Sequence, residues 1–348
     1  MSVRAAFQAQ ADVCAAMGSP FTARLCRLIA DRLVPGTPVA ERVLGWRGNP
    51  GGRADALPLR LAGALHGLVI EEIDAGLASV YPPHDQGLSD DAVWAAVSAA
   101  LAAHPRFITA RLRRPPQTNE TMRSAALCPG FLTIAARTEL PLITSELGAS
   151  AGLNQIWNRF FYRFGDAQWG PEDSPVRLVP EWQGPPPPLV PVRLLERAGC
   201  DSAPPDLAKP ADRLLLLSYV WADQPERLAR MQAALALAGE AGIQIITRDA
   251  LDWLSDRLAL RLQGAAHVIY HSIFWQYLEP SAQAAAVERL SEAGRRASRE
   301  APIAWLRLEV DGAAPGAAIL LTLWPDGETR LLGRADFHGS WVHWTGWD

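Results

Sequence analysis

Lysine is almost absent from this chain of 348 residues: Lys209 is the only one, and arginine supplies the remaining basic side chains. The net charge is −4, so the chain lacks the basic excess that nucleic-acid binding or attachment to an anionic membrane requires. Its apolar runs fall far short of the ~20 residues that span a bilayer, and its first residues lack the basic-then-apolar order of a signal peptide. We therefore expect a cytoplasmic protein without a nucleic-acid or membrane partner.

Cysteine is also scarce. Cys14, Cys26, Cys128 and Cys200 form no C-x-x-C pair, so we predict neither a metal site nor a redox motif. Two of these residues lie in helical apolar patterns, which favours reduced, buried thiols. With 49% hydrophobic residues the chain can bury a large core, in two domains or one enlarged domain.

The first 135 residues are predicted to form a helical domain. Ser19 precedes Pro20 as a helix cap before apolar residues at helical spacing, and Ser89 precedes a second such helix. A last helix is predicted over about 119–137; the segment before it could cap this helix through Thr118, or form a lid whose polar groups reach into the cleft. A second domain is then expected over residues 136–348.

In that second part, apolar strands alternate with helical patterns. The predicted strands are 140–144, 190–195 extending toward Asp201, 243–246, 267–270 and 303–310, followed by a hairpin of 318–324 with 329–332 and a last aromatic strand ending at Trp344. Alternation of this kind predicts a doubly wound α/β sheet with helices on both faces. The closing hairpin resembles the Rossmann-like sheet of class I methyltransferases, whose last strand runs antiparallel.

The segment Glu146-Leu147-Gly148-Ala149-Ser150-Ala151-Gly152 follows the first predicted strand and precedes a helical pattern. Glycine permits a tight turn there, and a helix N-terminus offers N–H groups to a ligand. The spacing E-x-G-x-x-x-G resembles the first motif of S-adenosylmethionine-dependent methyltransferases. The same letters contain G-x-S-x-G, which resembles the nucleophile elbow of α/β-hydrolases. A dinucleotide oxidoreductase is disfavoured because G-x-G-x-x-G is absent after this strand.

In a doubly wound sheet the ligand lies at the carboxyl ends of the strands, so the methyltransferase hypothesis assigns cofactor contacts to the strand ends. The predicted cofactor-binding residues are Glu146, Gly148, Ser150, Gly152, Asn154, Asp201, Asp249 and Ala250. Asp201 is expected to accept hydrogen bonds from ribose hydroxyls, and Asp249 with Ala250 to hold adenine. Each acid also has a structural alternative: Glu146 could cap a helix, Asp201 could form a turn, and Asp249 could cap the next helix.

Four residues are predicted to serve the reaction itself. His271 follows the fourth strand and is the candidate general base, although it could also be a core histidine. Glu120, Arg123 and His338 are expected to orient the methyl acceptor, a small molecule or a protein. Because methyl transfer is largely in-line displacement, positioning could do much of the work.

Two other functions stay open. A serine hydrolase would use Ser150 as nucleophile with Asp249 and either His271 or His338. Against it, an elbow normally follows several strands of its sheet, and the residues before this turn are mostly helical. A ligand-binding or interaction protein without catalysis is the third hypothesis, since Ser150 replaces the usual middle glycine of the motif.

Five groups of residues together resemble one bacterial family, that of "domain of unknown function 2332". They are Ser19-Pro20, Gln117-Thr118-Asn119-Glu120 with Arg123, residues 146–154, Trp221-Ala222-Asp223-Gln224 with Arg227, and His338-Gly339 with Trp341. The resemblance covers nearly the whole chain. It implies a bacterial protein and assigns no reaction, so the methyltransferase hypothesis depends on the strand ends alone. The oligomeric state is left open.

Overall fold

The computed structural model describes residues 1–52, 54–117, 119–260 and 262–348. These residues divide into two compact units. The first unit comprises Met1–Thr118 and Lys209–Gln232, and the second comprises Asn119–Ala208 and Ala233–Asp348. The predicted domain boundary at residue 135 stays a prediction. No helix in the described ranges has the length and apolar character needed to cross a bilayer.

The first unit is built from helices, as predicted for the N-terminal part of the chain. The helices are α1 (Val3–Ala16), α2 (Pro20–Arg32), α3 (Pro38–Leu44), α4 (Leu57–Ile70), α5 (Ala75–Ala78), α6 (Asp90–Ala103), α7 (Pro105–Leu112) and α9 (Pro210–Ser218), with the first part of α10 (Pro225–Glu240). Buried apolar side chains from Phe7 to Leu112 pack into one core. Cys14 and Cys26 are free and buried, as are the other two cysteines, so the prediction of reduced thiols is confirmed.

The helix caps show where local sequence reasoning works and where it does not. The Ser89 hydroxyl accepts a hydrogen bond from the N–H of Ala92, which confirms its predicted role as cap of α6. Ser19 stands at the cap position of α2, but its side chain makes no capping hydrogen bond to a described residue. Instead Asp223 accepts from the Ser19 hydroxyl at 2.5 Å and from the N–H of Phe21 at 2.7 Å. Ser19 is therefore the N-cap residue with Pro20 in the first turn, as predicted, but the N–H of the first turn is bonded by a carboxylate distant in sequence instead of by the serine hydroxyl.

The second unit begins with a 3₁₀ helix, Thr121–Arg123, which leads into α8 (Ser124–Thr138). Glu120 caps this 3₁₀ helix by accepting a hydrogen bond from the N–H of Met122 at 3.0 Å. Thr118, the predicted cap, lies outside the described residues. The later helices of the unit are the remainder of α10, α11 (Ala250–Ala259) and α12 (Pro280–Arg295). Helix α12 begins after Glu279, with Pro280 in its first turn.

Nine of the described strands form one sheet. They are β1 (Leu142–Leu147), β5 (Glu181–Gln183), β6 (Leu194–Asp201), β7 (Ile246–Thr247), β8 (Ala266–Ser272), β9 (Ile303–Glu309), β10 (Ala317–Trp324), β11 (Glu328–Ala335) and β12 (Trp341–Trp344). Their order across the sheet is β5-β12-β11-β10-β9-β8-β1-β6-β7. The neighbouring strands β7, β6, β1, β8 and β9 pair in parallel. Strands β10, β11 and β12 each pair antiparallel with the strand before them in the chain. The protein is thus a mixed α/β structure with a large, mostly parallel sheet.

Three short strands form a separate small sheet in the long connection between β1 and β6. They are β2 (Phe161–Phe164), β3 (Ala167–Trp169) and β4 (Arg177–Leu178). A second 3₁₀ helix, Leu153–Arg159, joins β1 to this small sheet. Its backbone is kinked at Ile156, so the continuous helical pattern predicted after Leu153 is shorter and tighter than expected.

Helices cover both faces of the large sheet, because alternate residues of a strand point to opposite sides. On one face α8 lies close to β9, and a Cβ added at Gly130 would come within 2.5 Å of Leu306. On the other face Trp305 packs in a core with Leu254 of α11 and Leu290 of α12. Burial on both faces explains why β1 is buried at every position and reads as a continuous apolar run.

The third strand is the one whose prediction differs most from the structure. Residues 243–246 were predicted, and only Ile246 and Thr247 pair with β6. The two preceding isoleucines pack elsewhere: Ile243 and Ile245 lie 2.8 and 2.6 Å from the position of a Cβ added at Gly152. Their apolar character therefore reflects packing against the turn after β1 and not membership of the sheet.

Candidate functional site

The carboxyl edge of the sheet at β1 is the candidate functional site. Numbered along the chain, the parallel strands β7-β6-β1-β8-β9 have the order 3-2-1-4-5, which is the order of a doubly wound nucleotide-binding sheet. Strands two and three lie on one side of β1 and strands four and five on the other. The order in which strands are added to the sheet therefore reverses between β1 and β8. Such a switch point opens a crevice at the carboxyl ends of the two strands.

The glycine turn, residues 148–152, leaves β1 at this edge. Three of its residues have left-handed backbone conformations: Gly148 at φ +65°, Ser150 at φ +49° and Gly152 at φ +72°. A side chain on Gly148 would collide with the ring of Phe274, 2.1 Å from the added Cβ. Glycine is required at this position by both the backbone angle and the close approach of that ring.

The N–H groups of the glycine turn are occupied by partners from the protein itself. The N–H of Ala149 donates to the carbonyl of Cys200 at 2.9 Å, and that of Gly152 donates to the carbonyl of Ala149 at 2.7 Å. The N–H of Ser150 donates to Asp201 Oδ2 at 2.9 Å. The turn was expected to offer free N–H groups, and in this conformation it is closed upon the end of β6.

Asp201 therefore holds the turn in place. Besides Ser150, its other oxygen accepts from the N–H of Ala203 at 2.9 Å. Both contacts are of the kind expected for the turn-forming alternative. A carboxylate has about four lone-pair positions, so two backbone donors leave capacity for further hydrogen bonds from a ligand.

Asn119 supplies a second clamp on the turn. Its amide nitrogen donates to Ser150 Oγ at 2.7 Å, and its amide oxygen accepts from the N–H of Ala151 at 2.8 Å. A few residues on, the Ser124 hydroxyl donates to Asn154 Oδ1 at 2.7 Å. The predicted site residue Asn154 thus anchors α8 to the helix that follows the turn, through a buried contact.

The predicted acceptor-orienting residues converge on the same region. Arg123 donates from Nε to the carbonyl of Phe337 at 2.9 Å, next to His338. A Cβ added at Gly339 would lie 2.2 Å from the carbonyl oxygen of Met122, so the segment around His338 packs directly on the Thr121–Arg123 helix. Glu120 and Arg123 are both buried, and Arg123 is near enough to Glu146 to lower the pKa of that carboxyl.

Glu146 is the most perturbed acid at this edge. It is 3% exposed, and Oε2 accepts no hydrogen bond from a described residue. The pKa of Glu146 is raised to about 8, chiefly because burial disfavours the charged form and also because of the negative charge of Asp201, whereas the side chains of Tyr270 and Gln155 oppose the rise. Glu146 is therefore protonated at neutral pH. At slightly alkaline pH, near its pKa, it could release or accept a proton.

His271 is enclosed in a different set of contacts. Its Nδ1 lies 2.6 Å from Glu309 Oε1, and Trp305 donates from Nε1 to its Nε2 at 3.0 Å. The ring is fully buried and stacks on Trp275. These contacts require a neutral ring protonated at Nδ1, and its other nitrogen is already occupied. Proton transfer by His271 would therefore need Trp305 to move, and the geometry fits the core-histidine alternative.

Asp249 caps α11, the alternative that was also considered for it. Its Oδ1 accepts from the N–H groups of Leu251 at 2.8 Å and Asp252 at 3.1 Å. Ala250 is the first residue of that helix. Neither contact uses Oδ2, so the capping role and a ligand contact are geometrically compatible.

Sequence reasoning missed several polar residues of this region. Gln155 and Tyr270 lie beside Glu146, and Glu309 holds His271. One signal was present for Glu309, because it ends the fifth strand just as the predicted site acids end or follow the others. No comparable local pattern marks Gln155 or Tyr270.

Fold and site together define a mixed α/β protein with N-terminal helices and a large, mostly parallel sheet, whose candidate site lies where a glycine turn meets an acid at the end of the second strand. The chain belongs to the family described as "Uncharacterized protein conserved in bacteria (DUF2332)", whose model matches residues 4–344. No curated protein and no solved structure matches the chain. Family membership agrees with the resemblance found in the sequence and leaves the reaction to be inferred from the site.

Proposed function

We propose that this protein binds S-adenosylmethionine at the carboxyl edge of its sheet and transfers the methyl group to a small-molecule or protein acceptor. The observation that carries the proposal is the strand order 3-2-1-4-5 with a glycine turn after strand one facing Asp201 at the end of strand two. Together with the antiparallel strands that follow β9, this arrangement is similar to a class I methyltransferase sheet.

In this proposal the glycine turn lies along the methionine and ribose part of the cofactor. Asp201 accepts hydrogen bonds from the ribose hydroxyls, using the lone pairs that its two backbone donors leave open. Asp249 with Ala250 lies at the adenine end. The ring of Phe274 covers Gly148, so binding requires this side chain to swing away from the turn.

The chemistry asks little of the protein beyond positioning. When bound, S-adenosylmethionine would supply its methyl group to a lone pair of the acceptor, and the acceptor would give up a proton to a nearby base. Trp305 already donates a hydrogen bond to the free ring nitrogen of His271. The group best placed to receive the proton is therefore the ionised Glu146 carboxylate, which is present at pH values near and above its pKa of about 8. Glu120, Arg123 and His338 orient the acceptor.

Calorimetric titration with S-adenosylmethionine and S-adenosylhomocysteine tests the proposal, after any copurified ligand has been identified. We expect micromolar affinity, on the order of −8 kcal/mol. Asp201→Asn should weaken binding at least tenfold, since the amide supplies one acceptor where two were present. Asp166→Asn, at an exposed position between β2 and β3, is the matched control. Absence of binding to an empty site, or equal affinity of the Asp201→Asn protein, would contradict the proposal.

One observation favours serine hydrolysis as a second function. Ser150 is the middle residue of G-x-S-x-G and has φ +49°, the kind of strained turn between strand and helix that presents a nucleophile. A fluorophosphonate probe that labels the unmodified protein but not the Ser150→Ala protein would support this function. If the unmodified protein is not labelled, serine hydrolysis is excluded. If the protein binds S-adenosylmethionine but transfers no methyl group, the hypothesis of a ligand-binding protein without catalysis is favoured.

A further inference from the structure

A second cleft lies in the second unit, beside the amino half of β6 and away from the carboxyl edge. It measures about 430 Å³, within the range of small-molecule sites. Its walls are residues 194–197 of β6, Gln155 and Arg159 of the Leu153–Arg159 helix, and residues 241–244, which follow α10. Strand β7 pairs only with Cys200 and Asp201, so among the described residues the sheet edge is open at this cleft.

Two arginines face this space. Burial lowers the pKa of Arg197, and the positive charge of the neighbouring Arg159 lowers it further. The charge of Arg159 therefore makes the charged form of Arg197 less favourable, and a bound anion would remove that cost. Arg197 Nη1 is buried and donates to no described residue.

The acids near the cleft do not satisfy this need. Glu196 pairs with Arg257 at 2.6 Å. Arg159 has a long contact of 3.7 Å with Glu240, in which both side chains are largely exposed. Exposed ion pairs of this kind contribute little to stability, so Arg159 can turn to a ligand at small cost.

Gln155 forms the inner wall of the cleft. Its side chain is 1% exposed, it lines the cleft, and its Nε2 donates to no described residue. A Cβ added at Gly199 would come within 2.0 Å of that nitrogen, so the glycine makes the space for the amide. The amide also lies close enough to the Glu146 carboxyl to lower its pKa, so its two N–H donors can serve that carboxyl and an acceptor in the cleft together.

We propose that this cleft binds the phosphate group of a small phosphorylated metabolite, held by Arg159 and Arg197 with Gln155 as a third donor. Guanidinium groups match phosphate oxygens in bidentate geometry. Two of them balance the double charge of a phosphate monoester, whereas a carboxylate carries only one. The proposal does not rest on methyl transfer, since its two arginines lie outside the glycine turn and only Gln155 borders both regions.

Titration with inorganic phosphate at constant ionic strength tests this site, with acetate as the singly charged comparison. We expect one saturable phosphate site and at least tenfold weaker binding of acetate. Arg197→Gln and Arg159→Gln should each weaken phosphate binding at least tenfold. Arg163→Gln, which removes the same charge from an exposed position on β2, should leave it unchanged.

Thermal unfolding with and without phosphate provides a second readout, because a ligand that binds the folded state raises its melting temperature. The rise should occur in the unmodified and Arg163→Gln proteins and be absent in the Arg159→Gln protein. Should Arg197→Gln fail to fold, the half-exposed Arg159 decides the matter alone. Absence of saturable binding, equal binding of acetate, or an equal loss in Arg163→Gln would overturn the proposal.

Discussion

Replacing Glu146 by glutamine should change how the stability of the protein depends on pH. The carboxyl group has a pKa of about 8 in the folded chain against 4.5 in the unfolded chain, because burial disfavours its charged form. Below pH 4.5 the group is protonated in both states. Between pH 4.5 and 8 it is protonated only in the folded state, so unfolding releases a proton and stability falls as the pH rises. Well above pH 8 the group is ionised in both states, and its titration no longer changes the stability.

The size of this effect follows from the two pKa values. Each tenfold difference is 1.36 kcal/mol, so the carboxyl group should cost the folded protein about 4 kcal/mol more at pH 8.5 than at pH 5. Glutamine is neutral at every pH and resembles the protonated acid in shape. Glu146→Gln should therefore be close to the unmodified protein in stability at pH 5 and about 4 kcal/mol more stable at pH 8.5, a large share of a typical folding free energy.

Urea unfolding followed by tryptophan fluorescence, at both pH values, measures the difference. Titration of all other groups affects both proteins equally and cancels from the comparison. Glu172→Gln, at an exposed position, should show no such pH dependence. A stability difference between the Glu146→Gln protein and the unmodified protein that is the same at pH 5 and pH 8.5 would refute the assignment of a buried, protonated acid at the end of β1.

Two further outcomes are expected. Asp223→Ala removes the acceptor for Ser19 and for the first turn of α2, and should lower the stability of the first unit by about 1–3 kcal/mol in urea unfolding, whereas Asp12→Ala at an exposed position should not. In ¹⁵N NMR spectra His271 should carry its proton on Nδ1, and Trp305→Phe should alter the signal of its Nε2 by removing the donor. A proton found on Nε2 would contradict the hydrogen-bond arrangement described for that ring.

Residue patterns predicted the elements that depend on local rules. Strands such as β1, β8 and β9 are buried on both faces, so their apolar runs mark them with little ambiguity. The acids after Ser89 mark the start of α6 by their effect on the helix dipole. The antiparallel pair β10 and β11 was found through its turn residues, Pro325-Asp326-Gly327.

Elements that depend on distant partners were not predictable in this way. Strand β5 pairs in parallel with β12, more than 150 residues further along the chain, and nothing in Glu181–Gln183 specifies that partner. The apolar run before β7 looked like a strand because packing on Gly152 and membership of a sheet demand the same residue types. Asp223 capping α2 is a third case, in which the partner of an N-cap position lies in another part of the sequence.

The candidate site shows the same division. Glycine spacing located the turn, and strand ends located Glu146 and Asp201, because both follow from the topology of a parallel sheet. What the residues do there depends on which neighbour each one meets. Asp201 and Asn119 bond to the turn's N–H groups and so give the glycine turn a closed, ligand-free form. If the edge binds S-adenosylmethionine, part of the binding energy must break the hydrogen bonds that close the turn. Asp201 then holds the turn closed in the free protein and contacts the ligand in the bound one.

A latch variant, defined as one that removes only the hydrogen bonds closing the turn, should bind the ligand more tightly than the unmodified protein. A variant that removes the Asp201 carboxylate should bind it more weakly. Asn119→Ala is such a latch variant, because it removes the clamp on Ser150 and Ala151 and leaves Asp201 in place.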